Sequence, residues 1–281
     1  MKLTLGYSFC PNDTFIFDAL VHHKIDTEGI EFEVIMADVQ ELNSLAFRQF
    51  CDITKLSYAA YLQVTNPYIL LNSGSALGNN CGPILIAKPE TLQKNIPVEE
   101  MKIALPGKNT TANFLFNLAY PNAKNQTQML FSDIITGVLQ NKFDVGVIIH
   151  EQRFVYESLG LAKVIDLGEY WENTFQVPIP LGGIAAKRSL GHDLIEKIDR
   201  LIKTSVEYAF QYPESSKNYV MQHAQEMSEE VCKMHIDLYV NQYSITLGEK
   251  GIKAVDTLMQ KSIALGLVDH LNMPIIAKSY E

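Results

Sequence analysis

Short runs of apolar and β-branched residues alternate along this chain with stretches whose apolar positions recur every three or four residues, the rhythm of βαβ units around a parallel sheet. KLTLGY at 2–7 predicts a strand, Asp13 a cap for a helix from Thr14 to about His22, and IEFEVIMA at 30–37 a second strand. Asp38 and Glu41 stand at capping-box spacing before a helix with Leu42, Leu45 and Ala46 on one face. Phe50 and Asp52 then lead into a strand DIT, with Lys55 and Ser57 directly after it. Tyr58 to Val64 has helical spacing, and YILLN and PILIA predict two further strands on either side of the glycine-rich GSALGNNCG.

From Lys88 to Glu100 the chain turns polar and contains Pro89 and Pro97, which suits a connector and a first domain crossing. The pattern then restarts: KIALPG as strand, Thr110 or Thr111 capping a helix to about Tyr120, TQMLF as strand, Asp133 to Asn141 as helix, a strand ending at His150, and AKVIDLG as strand. VPIPLGGIAAKR, with two prolines and Gly182-Gly183, reads as a second crossing, and the last ninety or so residues carry helical periodicity. The expected fold is α/β, a two-domain clamshell similar to type II periplasmic binding proteins with a helical C-terminal region. Residues 1–90 and 185–281 would form the first domain, 91–184 the second, with the ligand cleft between them. RQFCDITKLS and QNKFDVGVIIHE echo one another, each placing a helix, Phe, Asp, a strand and then a polar group. A pseudo-twofold relation between modules would set Lys55 and Ser57 opposite His150.

The apolar run in FDVGVIIHEQRF stops abruptly at His150, which places an imidazole at a strand's carboxyl end, where ligands of open α/β sheets gather. Histidine suits a general base there because its ordinary pKa of about 6.5 leaves the neutral form available; the plainer alternative is a histidine that ends a core strand. Ser8 to Thr14, Thr54 to Ser57 and Gly107 to Thr111 likewise end a strand or open a helix with polar groups. Ser57, Thr110 and Thr111 would offer hydroxyls and helix N-terminal N–H groups to a carboxylate, or simply cap their helices. Lys55 could neutralise an acidic substrate. Ser8, Cys10, Asn12 and Asp13 are candidates to line the cleft, and Cys10 falls in a polar loop. Glu151 is poorly placed to orient the neighbouring imidazole if the backbone stays extended. His22 and His23 fall at a helix end, and His192, His223, His235 and His270 in the helical tail, as structural or surface groups.

Composition narrows the chemistry. The chain has 281 residues, 47% hydrophobic and 20% charged, with a formal net charge of −9, which argues against a nucleic-acid backbone or an anionic membrane surface as main partner. A small molecule is the expected partner, and oligomeric state stays open. No run approaches the ~20 apolar residues of a membrane helix and no export signal opens the chain, so a cytoplasmic protein is expected. Cys10, Cys51, Cys81 and Cys232 show no C-x-x-C pair, which disfavours zinc and disulfides and predicts reduced thiols. H-x-x-x-H, G-x-S-x-G, G-x-G-x-x-G and Walker patterns do not occur.

Five segments in order, CPNDTFIFDALVH (10–22), TKLSYAAY (54–61), GSALGNNCGP (74–83), PGKNTTA (106–112) and GVIIHEQRF (146–154), resemble the 1,4-dihydroxy-6-naphthoate synthase family of the futalosine route to menaquinone. The resemblance spans most of the chain and is least distinctive in the C-terminal helices. It implies cyclic dehypoxanthinylfutalosine as substrate, no metal or organic cofactor, and a carbon–carbon lyase reaction that releases a three-carbon fragment. It further implies His150 as proton acceptor and Lys55, Leu56, Ser57, Thr110 and Thr111 as substrate-binding residues. The competing readings are a chorismate dehydratase of the same pathway, which lacks the CPNDTFIF opening, and a cytosolic small-carboxylate binding protein.

Overall fold

A computed structural model describes residues 1–224, 228–268 and 274–277. His270, expected in the helical tail, lies outside the described residues. The chain begins β1 (Lys2–Tyr7), α1 (Pro11–Val21), β2 (Glu31–Met36), α2 (Val39–Phe47), β3 (Ile53–Ser57), α3 (Tyr58–Tyr61), β4 (Tyr68–Leu70) and β5 (Ala76–Gly78). It continues through β6 (Ile84–Ala87), α4 (Pro89–Gln93), β7 (Ile103–Leu105), α5 (Thr111–Ala119), β8 (Gln126–Gln128), α6 (Ile134–Leu139), β9 (Val145–Ile148), β10 (Ala162–Asp166) and α7 (Leu167–Phe175). Then follow β11 (Ile179–Lys187), α8 (His192–Gln211), α9 (Lys217–His223), α10 (Glu229–Tyr239), α11 (Gln242–Ile245) and α12 (Gly248–Ala264).

Two compact units result, Met1–Gly78 with Pro180–Glu281, and Asn79–Ile179. The crossings therefore fall earlier than the polar 88–100 segment and residue 184 suggested. Strand pairing is the reason: β6 hydrogen-bonds antiparallel to β9 and β10, so the buried ILIA run belongs to the second sheet. β11, in contrast, runs antiparallel to β3 with Gly182 opposite Ser57, which draws residues 180–184 into the first unit.

The first sheet has the order β2-β1-β3-β11-β4, with β5 also pairing β11, and the second has the order β10-β6-β9-β7-β8. Taken from the β2 and β8 ends, both run two parallel pairings followed by two antiparallel ones. The QF-CD and KF-D echo has a structural counterpart. Asp52 Oδ2 accepts the Thr4 N–H at 3.0 Å, and Asp144 Oδ2 accepts the Lys102 N–H at 2.7 Å. Each aspartate thus ties the start of the parallel neighbour, fixing the register of β3 on β1 and of β9 on β7. β3 and β9 hold equivalent places in their sheets, so their carboxyl ends are equivalent too.

The core of the first unit is built from Leu3, Leu5 and Tyr7 on β1, from α1, and from Ile195, Ile198, Leu201, Ile202 and Val206 on α8, a three-and-four spacing that lays one apolar stripe on the sheet layer. α1 is buried at ten of its eleven positions, the polar Asn12, Asp13, Thr14 and Asp18 among them. The Ser205 hydroxyl locks it to α8, donating to Ile16 O at 2.6 Å and accepting Leu20 N–H at 3.1 Å. The second unit packs Ile84, Ile86, Ala104, Ile134, Val138 and Ile148 around its own sheet. Gly82 and Gly168 meet backbone to backbone there: a Cβ on Gly82 would lie 2.3 Å from Gly168 Cα. Residues 275–277 cover the outer side of β4, with Leu70 N–H donating to Ile275 O at 3.0 Å and Ala277 N–H to Leu70 O at 2.8 Å, so that edge is not left open.

Two local expectations change. α1 begins at Pro11 with Cys10 at its N-cap, not at Thr14 behind Asp13, because proline's fixed φ and missing N–H suit the first helical position. β3 does not stop at Thr54 but runs on through Lys55, Leu56 and Ser57, because β11 lies alongside and pairs with all three.

Candidate active site

In the first unit the groups gather where β1 and β3 end. Alternation along β3 puts Lys55 and Ser57 on one face and the fully buried Leu56 on the other, so toward that first face Leu56 presents backbone. Lys55 is 6% exposed, and its ammonium reaches Asp13 Oδ1 at 2.9 Å and donates to Gly74 O at 3.1 Å. Asp13 is saturated: Oδ1 also accepts from Asn12 Nδ2 at 2.8 Å, and Oδ2 accepts the Ser8 N–H at 3.1 Å and its hydroxyl at 2.7 Å. Cys10 joins through its backbone, its N–H donating to Ser8 Oγ at 3.3 Å. It falls in the loop between β1 and α1, as expected, and is buried there. Ser8, Asn12, Asp13 and Lys55 therefore form one buried polar network.

Gly74 is the keystone of this cluster. Its φ of +82° is a conformation only glycine adopts without cost, and a Cβ would stand 1.9 Å from Ile184 Cδ1. Asp199 on α8 steadies the preceding residues, its carboxylate accepting the Ser73 N–H at 2.9 Å and the Asn72 N–H at 3.3 Å. Ser57 caps the short α3, its Oγ accepting the Ala60 N–H at 3.2 Å. Tyr58 follows, fully buried, its hydroxyl 2.8 Å from Ser75 Oγ, and burial raises its pKa so that it stays protonated.

In the second unit Thr110 caps α5, its Oγ1 accepting the Asn113 N–H at 3.1 Å and donating to Gly107 O at 2.8 Å. Thr110 and Thr111 are each 3% exposed, at the end of the loop that follows β7. His150 lies two residues beyond β9 and opens a 3-10 turn, His150–Phe154. Its φ of +56° is left-handed, a conformation that costs an ordinary residue about 1–2 kcal/mol and that histidine tolerates better than most. The strand thus breaks sharply, and the imidazole packs edge-on against Phe131 at 5.0 Å between ring centroids. The break also removes the premise under which Glu151 was set aside, since that residue sits in the turn and not on extended backbone.

Several residues of these clusters went unnoticed in the sequence. Arg153 anchors the His150 turn, donating to Gly82 O and, at 3.0 Å, to Asn80 O, and pairing with Asp166 at 3.2 Å. Asp166 in turn caps α7 through the Gly168 N–H at 2.7 Å. Asn80 is gripped from the other side, its N–H donating to Glu172 at 2.8 Å, while burial raises the Glu172 carboxyl above its usual range. Asn43 on α2, fully buried, bonds Ser57 twice, Oδ1 accepting the Ser57 N–H at 2.9 Å and Nδ2 donating to Ser57 Oγ at 3.1 Å. A signal for Asn43 existed: it lies three positions before Ala46, a polar residue on the apolar face of its helix. Arg153 had none, because the carbonyls of Gly82 and Asn80 that it binds lie far away in sequence.

Among the described residues no group of three or more His, Cys, Asp or Glu is arranged to hold a metal ion, and no helix is long and apolar enough to cross a membrane. The candidate residues of the first unit offer hydroxyls and an ammonium, groups suited to holding an anion, and those of the second offer hydroxyls and an imidazole, a group able to move a proton.

The sequence pattern of the family described as menaquinone biosynthesis matches residues 3–263. A "1,4-dihydroxy-6-naphtoate synthase" of Thermus thermophilus is 43% identical over 265 residues, covering 94% of this chain and 95% of the relative. One of the same name from Streptomyces coelicolor is 39% identical over 280 residues, 98% of each. A crystal structure of an Archaeoglobus fulgidus protein superposes with a TM-score of 0.89 at 31% identity, covering 95% of this chain and 98% of that one. At 11% identity, a Candida albicans protein described as having the generic periplasmic binding protein fold gives a TM-score of 0.70 over 100% of this chain and 99% of its own. That likeness speaks for the fold, which is α/β and similar to periplasmic binding proteins, as the sequence pattern predicted.

Proposed function

We propose, from the fact that the chain belongs to the menaquinone biosynthesis family, that it is a 1,4-dihydroxy-6-naphthoate synthase acting on cyclic dehypoxanthinylfutalosine. The observation that carries this reading is the near-full-length identity to two relatives of that name. The placement of the residues supports it. His150 follows β9 and Lys55 and Ser57 close β3, the equivalent strands of two sheets of like topology.

Both clusters serve one bound substrate in this reading. Lys55, Ser57 and the N-terminus of α5 at Thr110 and Thr111 hold its carboxylate, by charge, hydroxyl and backbone N–H groups. His150 takes a proton from the sugar-derived part, a carbon–carbon bond breaks, and a three-carbon fragment leaves as the naphthalene ring becomes aromatic. The protein's share is to orient the substrate, accept the proton and exclude water. The absence of any disulfide among four cysteines suits a reducing compartment, and we place the reaction in the cytoplasm.

The test is to incubate the purified protein with cyclic dehypoxanthinylfutalosine and follow 1,4-dihydroxy-6-naphthoate by liquid chromatography and mass spectrometry, beside His150→Ala and a parallel incubation with chorismate. Wild type should form product and His150→Ala should lose about 10²–10⁴-fold in kcat, the usual worth of a general base. Turnover of chorismate instead would make the protein the dehydratase of the same pathway. Undiminished product from His150→Ala would remove His150 as the base.

A further inference from the structure

The segment from Asn241 to Leu247, in the helical region that carries none of the five motifs, grips the loop from Asn72 to Leu77 bond by bond. The Gly74 N–H donates to Ser244 O at 2.7 Å, and the Leu247 N–H donates to Asn72 O at 3.0 Å. The Ser73 hydroxyl donates to Ile245 O at 3.1 Å, and Asn241 Nδ2 donates to Leu77 O at 3.0 Å. Ser244, 2% exposed, is the centre of this clasp: its hydroxyl donates to Ser75 O at 2.8 Å and accepts the Asn241 N–H at 3.2 Å. Ser244 therefore holds the Gly74 N–H and the Ser75 carbonyl, which belong to the peptides on either side of the Gly74–Ser75 peptide. That middle peptide carries the carbonyl to which the Lys55 ammonium donates at 3.1 Å.

We infer that Ser244 is a positioning residue that fixes the Gly74–Ser75 peptide, and through its carbonyl the place of the Lys55 ammonium, for an anionic group of the substrate; this rests on the function proposed above, in which Lys55 holds a carboxylate. A lysine needs such a fix. Its ammonium is a point charge on a flexible stem with rotatable donors, so its position is set by the acceptors around it, here Asp13 Oδ1 and Gly74 O. Asp13 supplies the opposite charge, and Gly74 O supplies the second anchor. The second anchor is also the weaker by construction, because glycine is the residue whose backbone turns most freely. A peptide unit is planar with its C=O and N–H on opposite sides, so turning the Gly74–Ser75 peptide over would withdraw the carbonyl and aim the Ser75 N–H at the ammonium. With the flanking peptides both bonded to Ser244, that rotation is blocked. The same loop meets the end of β3 a second time, where Ser75 Oγ lies 2.8 Å from the Tyr58 hydroxyl. Ser244 touches no substrate atom in this account and acts through Gly74 and Lys55.

A double-mutant cycle tests this, with kcat and KM for product formation measured on wild type, Ser244→Ala, Lys55→Met and the double variant, and thermal melts alongside. Ser244→Ala should raise KM at least about fivefold with kcat within about twofold, and should change kcat/KM by less than about twofold once Lys55 is methionine. Ser244→Cys, whose S–H is a weak donor in place of the hydroxyl, runs the same cycle if the alanine variant does not fold. A folded Ser244 variant with a lowered melting temperature and unchanged KM, or a fall in kcat/KM as large in the Lys55→Met background, would overturn the inference while leaving the function intact. Lys55→Met with the KM of wild type would remove Lys55 as the anion's partner, and this inference with it. No product from wild type would instead overturn the function itself.

Discussion

The buried Lys55–Asp13 pair has unequal partners, and the inequality should be measurable. Asp13→Asn keeps the shape of the side chain and removes its charge, leaving the Lys55 ammonium, with 7% of its side chain exposed, facing an amide and the Gly74 carbonyl. Breaking a buried pair from one side costs about 3–5 kcal/mol. Lys55→Met removes the cation, but the Asp13 carboxylate retains the Ser8 N–H, the Ser8 hydroxyl and Asn12 Nδ2 as donors at 2.7–3.1 Å. Its cost should therefore be about 1–2 kcal/mol, that of one charged hydrogen bond against retained support. Urea unfolding of both single variants and the double variant measures this directly, and the double variant should be more stable than the sum of the singles by at least about 1 kcal/mol. Lys55→Met should keep the fold and bind substrate poorly. A cost for Lys55→Met equal to or above that of Asp13→Asn would refute the assignment of Asp13 as the better-supported ion.

The Gly82–Gly168 approach predicts a ranking. A methyl group on Gly82 would meet Gly168 backbone at 2.3 Å and one on Gly168 would meet Gly82 backbone at 2.8 Å, so Gly82→Ala should destabilise the protein by about 1–3 kcal/mol and Gly168→Ala by less, as read from denaturant midpoints. The thiols should be unreactive in the native state. Burial pushes Cys51 up to about 11 and Cys81 up to about 12, so at pH 8 almost none of either is thiolate. Alkylation mapped by mass spectrometry should be slow at both in buffer and complete in denaturant, and rapid native labelling of either would contradict the burial argument.

Much of the fold was legible along the chain because strand and helix periods, caps and turn residues are properties of neighbours in sequence. β1, β2, α2, α5 and β10 stand within a residue or two of where pattern and caps put them, and Asp38 and Thr110 cap as their spacing predicted. The echo around Asp52 and Asp144 carried the deeper symmetry, since in both units the aspartate binds the backbone of the parallel neighbour. The motifs likewise marked Lys55, Ser57, Thr110, Thr111 and His150, all at strand ends or helix starts.

Tertiary structure decided what depends on partners far away in the chain. The ILIA run of β6 reads as a strand in any sheet, and only pairing with β9 and β10 assigns it to the second unit. β3 runs on to Ser57 because β11, more than a hundred residues later, lies beside it. Asp13 looked like a helix cap and is instead the counter-ion of Lys55, while Asn43 and Ser57, 14 positions apart in the chain, meet through two hydrogen bonds. Periodicity is local and survives in one dimension. Register, ion pairing and hydrogen-bond polarity are set by which atoms meet once the sheets close, and that is settled by packing.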